Sequence, residues 1–373
     1  MLPSVNVIHD AAIRNNITLE SLAHSVFNKN ADKFLKFLQN PQLSLNISYS
    51  QLSLIAKELK IPFGYLFLDK LPKENTKIAE LRSKNPEYTL SQVLKESIKN
   101  SEYKQMWYRD YLIDIGEEPK YNIKLNDEEL IIKKIKALVR FDTLPKKPYN
   151  ALQRIVDALQ KENFLIFIAG RINRSNKKKI NIEDCRGYCL YDKYAPVIFI
   201  NNNDSYKGKI FTLLHEIAHI FYGDNAITFG DNQHYKLEKI CNNIAGEILI
   251  PKDIILKFWD KTLDISENVV SLNKKFYLAS NEAIATKARA LKFISQAEYE
   301  EYIKECNAKT PTKPYAPNDK KRFFRTIIKE NSRNFVEAII MQTYNNKIDF
   351  KTAMEYLGIE KIKYFKGIQE VVI

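Results

Sequence analysis

One run constrains the fold more than any other: Phe211-Thr-Leu-Leu-His215-Glu216-Ile-Ala-His219-Ile-Phe-Tyr222. It is periodic and Gly-poor, as a helix requires. Histidines four apart on a helix project from one face, close enough for both imidazoles to bind one ion. The intervening Glu216 can reach a water on that ion. A chain with this run needs a helix here and a second element that completes the metal shell.

A catalytic Zn²⁺ site takes three protein ligands plus water, so a third ligand should come from a neighbouring element. Glu238 fits best. It lies 19 residues after His219, in Glu238-Lys-Ile-Cys241-Asn242-Asn-Ile-Ala245-Gly-Glu247-Ile-Leu-Ile-Pro251, where Glu238, Cys241, Asn242 and Ala245 share one helical face. Glu247 and His234 are the alternatives as ligands. Asn242, one turn after Glu238, is placed to hold a ligand by hydrogen bonding. His234, Tyr222 and Tyr188 are candidates to steady an oxyanion.

Composition narrows the classes. Only 10 of 373 residues are Gly, and no GxGxxG or GxxxxGK occurs, which argues against Gly-rich phosphate loops. Apolar residues make up 45% of the chain, enough to bury cores for more than one domain. The 58 Lys and Arg against 45 Asp and Glu give a net charge of +13, a field that attracts nucleic acid or an acidic partner. Cys185, Cys189, Cys241 and Cys306 lack a paired CxxC arrangement, so reduced thiols are expected. Cys185 and Cys189 read as core residues of a strand. The segment Met1 to Ala12 lacks the basic start and apolar core of a secretion signal, and no apolar run approaches a membrane span. A cytoplasmic protein is expected.

Along the chain, residues 17 to 68 read as short helices. Thr18 opens one with Leu19, Leu22, Ala23 and Val26, Phe34 to Leu38 line another, and Leu52 to Leu59 a third. Helical periodicity continues to about 140, and Leu144-Pro145-Lys146-Lys147-Pro148 breaks it. A helix over about 149 to 161 then leads into the apolar, β-branched run Phe164 to Ala169, then Arg186 to Tyr191 and Pro196 to Ile200, which read as strands. Helices follow over 209 to 222, 235 to 249 and 251 to 303. The stretch Ala308 to Lys321 reads as a linker to a last helical segment.

Four segments together resemble the ImmA/IrrE family of metallopeptidases: Gly187-Tyr-Cys-Leu, Pro196-Val-Ile-Phe-Ile-Asn201, the His215 to His219 run, and Glu238-x-x-Cys-Asn-x-Ile-Ala-x-x-Ile-Leu-Ile-Pro251. The resemblance implies Zn²⁺ held by His215, His219 and Glu238, with Glu216 as the catalytic acid and base. Cys241 stands for the family's usual Ala and Ile244 for its usual Phe, and both keep an apolar packing role. Thr18 to Leu68 resembles an XRE-type helix-turn-helix domain, and Phe323 to Gly358 resembles the tail of longer family members. Phe27 stands where the turn between helices two and three usually has Gly. The presumed recognition helix, about Asn30 to Gln39, is not rich in Arg, Asn or Gln. DNA contact through Lys29, Lys33 and Lys36 therefore stays open beside a protein-binding or dimerising role.

The fold class expected is α+β and mostly α-helical. Residues 1–75 form a helix-turn-helix-like domain, 76–148 a helical connector, 149–305 a zincin-like metallopeptidase domain with a small β-sheet, and 306–373 a linker and helical segment. The function expected is that of a zinc-dependent endopeptidase that cleaves a cognate regulatory protein, a repressor or antitoxin-like partner. The competing reading is an antitoxin-like transcriptional regulator that binds a toxin and DNA, its metal site vestigial or structural. An intact Glu216 favours the enzyme, because a structural site has no use for it.

Overall fold

A computed structural model describes residues 3–14, 17–40, 45–59, 61, 63–71, 91–121, 124–223, 232–308 and 320–372. The chain divides into two compact units, Met1–Thr76 and Lys77–Ile373.

The first unit is helical: α1 (Val5–Arg14), α2 (Leu19–Phe27), α3 (Ala31–Gln39), α4 (Tyr49–Glu58) and a 3₁₀ turn at Phe63–Phe67. Thr18 caps α2, its hydroxyl accepting from the Ser21 amide at 3.2 Å. Val7, Ile8, Leu22, Phe34, Ile55 and Leu59 are among its buried core residues. Helix α1 adds to the expected set, because Val7, Ile8, Ala11 and Ala12 supply an apolar stripe at helical spacing. Leu54, counted with the apolar face of α4, is instead exposed. The Phe27 ring is buried and stacks on Phe34, centroids 4.4 Å apart. The unusual backbone after α2 falls on Asn28, at φ 47° and ψ −112°. The turn is therefore displaced by one residue, and Phe27 serves as core.

The second unit contains α5 (Gln92–Asp114), α6 (Glu128–Val139), α7 (Pro148–Lys161), β1 (Leu165–Ala169), β2 (Gly187–Leu190), β3 (Val197–Asn201), α8 (Tyr206–Tyr222) and α9 (Asn232–Leu249). Among the described residues, eight shorter helices lie C-terminal to α9: α10 (Lys252–Phe258), α11 (Ile265–Asn273), α12 (Asn281–Ala290), α13 (Gln296–Ala308), α14 (Lys320–Asn331), α15 (Arg333–Tyr344), α16 (Phe350–Tyr356) and α17 (Ile362–Val372). The fold is α+β and mainly helical. Among the described residues its three strands fall on the three expected runs, with order β1-β3-β2. β1 runs parallel to β3 (Leu165 beside Val197), and β2 runs antiparallel to it (Tyr188 beside Phe199).

Strand alternation splits the core in two. Ile166, Ile168, Cys189, Ile198 and Ile200 face a cluster that includes α6, α7, α8 and α9. Leu165, Phe167, Tyr188, Leu190, Val197 and Phe199 face a second cluster formed with α5 and α14 to α17. Helices of the segments expected as a helical connector, 76–148, and as a linker and helical segment, 306–373, thus supply walls of the same unit as the sheet. Both strand faces are apolar, so the sheet needs helices on each side, and those segments provide them. Most of the expected linker, 309–319, lies outside the described residues.

Helix α8 is buried almost all round, with Ile210, Leu213, Leu214, Ile217, Ala218 and Ile220 each at most 1% exposed. Fully burying each of the leucines and isoleucines stabilises the fold by roughly 1.5–3 kcal/mol. Ser205 caps its start by accepting from the Gly208 amide at 3.0 Å. Gly223 ends it at φ 59°, a left-handed cap that suits glycine. The helix is thereby fixed between sheet and α9, and its ionisable residues are held in place.

Candidate metal centre

His215 and His219 lie one turn apart on the face of α8 that meets α9. In α9, Cys241, Ile244, Ala245 and Ile248 are fully buried. That packing fixes the helix's rotation and turns Glu238 towards the imidazoles. The Nε2 atoms of the two histidines are 3.0 Å apart. His219 Nε2 is 3.1 Å from Glu238 Oε1, and His215 Nε2 is 3.4 Å from Glu238 Oε2. A tetrahedral ion with ligands at about 2.0–2.1 Å separates neighbouring donor atoms by about 3.3 Å. The three edges match this, so the trio is a cluster that could hold a metal ion.

Burial acts against the charged form of Glu238, but hydrogen bonds and charge from His215 and His219 outweigh it and hold the carboxyl well below its usual range. It is an anion at any physiological pH, as a metal ligand must be. The His219 side chain is 1% exposed, against 12% for His215 and 21% for Glu238. Solvent reaches the cluster from the His215 and Glu238 side. Buried Nδ1 of His219 has no hydrogen-bond partner among the described residues. Its Nε2 is the nitrogen turned to the cluster.

Glu216 is 6% exposed and, one residue beyond His215, turns about 100° round the helix towards β2. Two features of that edge strand were not anticipated. Cys189 hydrogen-bonds Glu216: burial first, then the carboxylate's charge and the bond itself, push the thiol's pKa up, so it remains a donor. Cys185 is pushed up likewise, by burial and then Glu216. Gly187 lies against the same helix, where a Cβ would stand 3.6 Å from Glu216 Oε1. The alternation of small and large residues in Gly187-Tyr-Cys189-Leu was the available signal, since the small ones mark the side of close approach.

The remaining candidates separate. Tyr188 points to the opposite sheet face, its hydroxyl 2.8 Å from Ser101 Oγ and 3.1 Å from Ser97 Oγ. Period-two alternation puts it across the sheet from Glu216, so it is no oxyanion donor. Asn242 is exposed and holds no ligand. Glu247 accepts from the Lys252 amide at 2.7 Å and pairs with Lys287 Nζ at 2.6 Å, bracing α10 and α12 rather than joining the cluster. Tyr222 is on the ligand face of α8, three residues past His219; burial, then Glu128, Cys241 and Asp127, push its pKa up to about 12. The His234 side chain lies outside the described residues, as does that of Lys29. Lys33 and Lys36 are exposed on α3.

Among the described residues no helix is long and apolar enough to cross a membrane. No curated protein matches the chain. Residues 176–289 match the family model of the IrrE N-terminal-like domain, peptidase M78, a span that holds β2, β3, α8 and α9 with the whole His-His-Glu cluster. Residues 176–289, about a third of the chain, are thus similar to the IrrE N-terminal-like domain, a family of metal-dependent peptidases of the ImmA/IrrE type.

Proposed function

We propose that the protein is a zinc-dependent endopeptidase that cleaves a cognate regulatory protein, a repressor or antitoxin-like partner. The observation that carries this reading is the convergence of His215, His219 and Glu238 at tetrahedral spacing with a buried carboxylate, Glu216, beside them. His215 and His219 would hold the ion through Nε2, and Glu238 through its carboxylate. Zinc fits this two-nitrogen, one-oxygen donor set, and when bound it supplies the Lewis acid that acidifies a water and polarises a carbonyl.

The chain's own groups do the rest. Glu216 accepts the water's proton on a carboxylate oxygen and returns it to the leaving amine. The neutral Cys189 thiol holds that carboxylate in place from the edge strand. Tyr222, protonated at neutral pH, is the described hydroxyl on the ligand face of α8 that could donate to an oxyanion. The first unit binds DNA through Lys33 and Lys36, which present two cations on one exposed helix face. Residues 1–75 then act as a targeting module for a peptidase in 149–305. None of the four cysteines forms a disulfide, which suits the reducing cytoplasm.

Glu216→Gln tests the reading. It keeps the side chain's size and should leave zinc bound, yet removes the proton acceptor, so partner cleavage should fall by about 10² to 10⁴. Equal cleavage by both proteins would sink the hydrolase mechanism. If neither cleaves but both hold the partner, the antitoxin-like binding reading prevails.

A further inference from the structure

Across the sheet from the metal cluster, the second core contains a cavity of about 260 Å³. Its floor is Phe167 of β1 and Phe199 of β3, and its sides come from α5, the turn after β1, the end of α14 and the end of α16. The volume suits a small metabolite rather than a peptide. The walls are built around cations. Lys104 Nζ reaches in from α5, bonds the neutral Asn331 Oδ1 at 2.5 Å, and sits 5.4 Å from the Phe167 ring centroid. No carboxylate among the described residues lies within ion-pair distance of it.

Arg174 pairs with Glu330 at 3.1 Å and also donates to the Gly358 carbonyl, so its position is fixed from two sides. Asn173 and Arg174 hold consecutive left-handed backbone conformations, φ 47° and 58°. Such a run at non-glycine residues persists only where its surroundings enforce it, and it recurs at ligand clamps. Arg171, exposed at the mouth, bonds only the neutral Asn176 side chain and has no carboxylate partner among the described residues. Three cations thus face Glu330 inside and Glu355, which is exposed at the rim. The enclosure carries a net positive charge.

We infer that this cavity is a binding site for a small organic anion, whose carboxylate or phosphate head lies between Lys104 and Arg171 and whose body fills the space beside Phe167 and Phe199. Burial already lowers the Lys104 pKa to about 8, with Glu330 opposing and Arg174 adding to the shift. A bound anion restores the charge that burial disfavours. The sheet separates this cavity from the His-His-Glu cluster, so its occupant is no peptide substrate.

Calorimetric titration of the full chain with phenyl phosphate, benzoate, inorganic phosphate and neutral benzyl alcohol tests the site. At least one aromatic anion should bind about tenfold or more tightly than benzyl alcohol, since a charge-assisted hydrogen bond to a fixed cation is stronger than a neutral one. The head group is identified by which of phenyl phosphate and benzoate wins. Lys104→Met and Arg171→Ala should each weaken that binding about tenfold and leave the metal content unchanged. Arg171 is exposed, so its variant folds and keeps the test decisive even if Lys104→Met does not. Absence of saturable binding by both aromatic anions, equal binding of benzyl alcohol, or wild-type affinity in Arg171→Ala would overturn the assignment.

Discussion

Gly187 of the edge strand lies so close to α8 that a Cβ on it would stand 2.4 Å from Thr212 Cγ2, and also 2.8 Å from the Phe199 carbonyl. Neither contact can relax cheaply, because one belongs to the central helix and the other to the sheet backbone. Gly187→Ala should therefore cost roughly 1–3 kcal/mol of stability by overpacking. It should also slow cleavage, since the helix that must shift carries Glu216. Gly246, in α9, has open space where its Cβ would go. Gly246→Ala should stabilise by about 0.5–1 kcal/mol. Denaturant midpoints of the two variants check the contrast, and equal shifts would show that the close approach is not real.

Two glutamates nine residues apart on α9 have opposite duties, and metal analysis distinguishes them. Glu238→Ala should lose most of the bound zinc. Glu247→Ala should keep it and lose about 1–2 kcal/mol of stability, because the Lys252 amide and Lys287 lose their acceptor. Reversed effects would mean that the ligand is Glu247 and the register of α9 is wrong.

The pairing of His215 and His219 was legible because helical spacing dictates which side chains share a face, whereas Glu238, on another helix, stood beside Glu247 and His234 until the packing of α9 against α8 distinguished them. The strands were legible as apolar runs between breakers, rich in Ile and Val in β1 and β3 and in aromatic and small residues in β2. Which face of β2 meets α8 was not, since alternation fixes only that Tyr188 and Cys189 point oppositely. Packing of a helix against Gly187 decides the rest. Asn242 failed because a four-residue interval puts it beside Glu238 without saying how far α9 is rolled into the core. The roles of α5 and α14 to α17 were hidden for another reason: the strands' apolar far face shows that something must cover it, but not which distant segments do.

The exposed lysines of α3 make the DNA proposal quantitative. Each lysine-phosphate contact on duplex DNA contributes about 0.9 to the slope of log affinity against log salt. Replacing both Lys33 and Lys36 by Ala should reduce that slope by about 1.8, and a filter-binding or anisotropy series from low to moderate salt measures it. An unchanged slope would remove α3 from the interface.

Lys104 gives a pH signature with a definite sign. Its pKa falls from 10.5 in the unfolded chain to about 8 in the folded one. Between those values the unfolded chain binds more protons, so this group's contribution to stability rises with pH, and below about pH 8 its penalty is fully present. The buried tyrosines Tyr108, Tyr121 and Tyr188 are held above their usual values, mainly by burial, and act in the opposite direction near pH 10 and beyond. The useful quantity is therefore the stability of Lys104→Met minus that of the wild type, in which the tyrosines cancel. The unpaired Asn331 oxygen left in the variant adds an offset that does not depend on pH. From pH 7 to pH 9.5 the difference should fall by about 2 kcal/mol, as the wild-type lysine sheds the proton its surroundings disfavour. Urea midpoints for the two proteins across that range supply the measurement, and a flat difference would place the Lys104 ammonium in water rather than against the Phe167 ring.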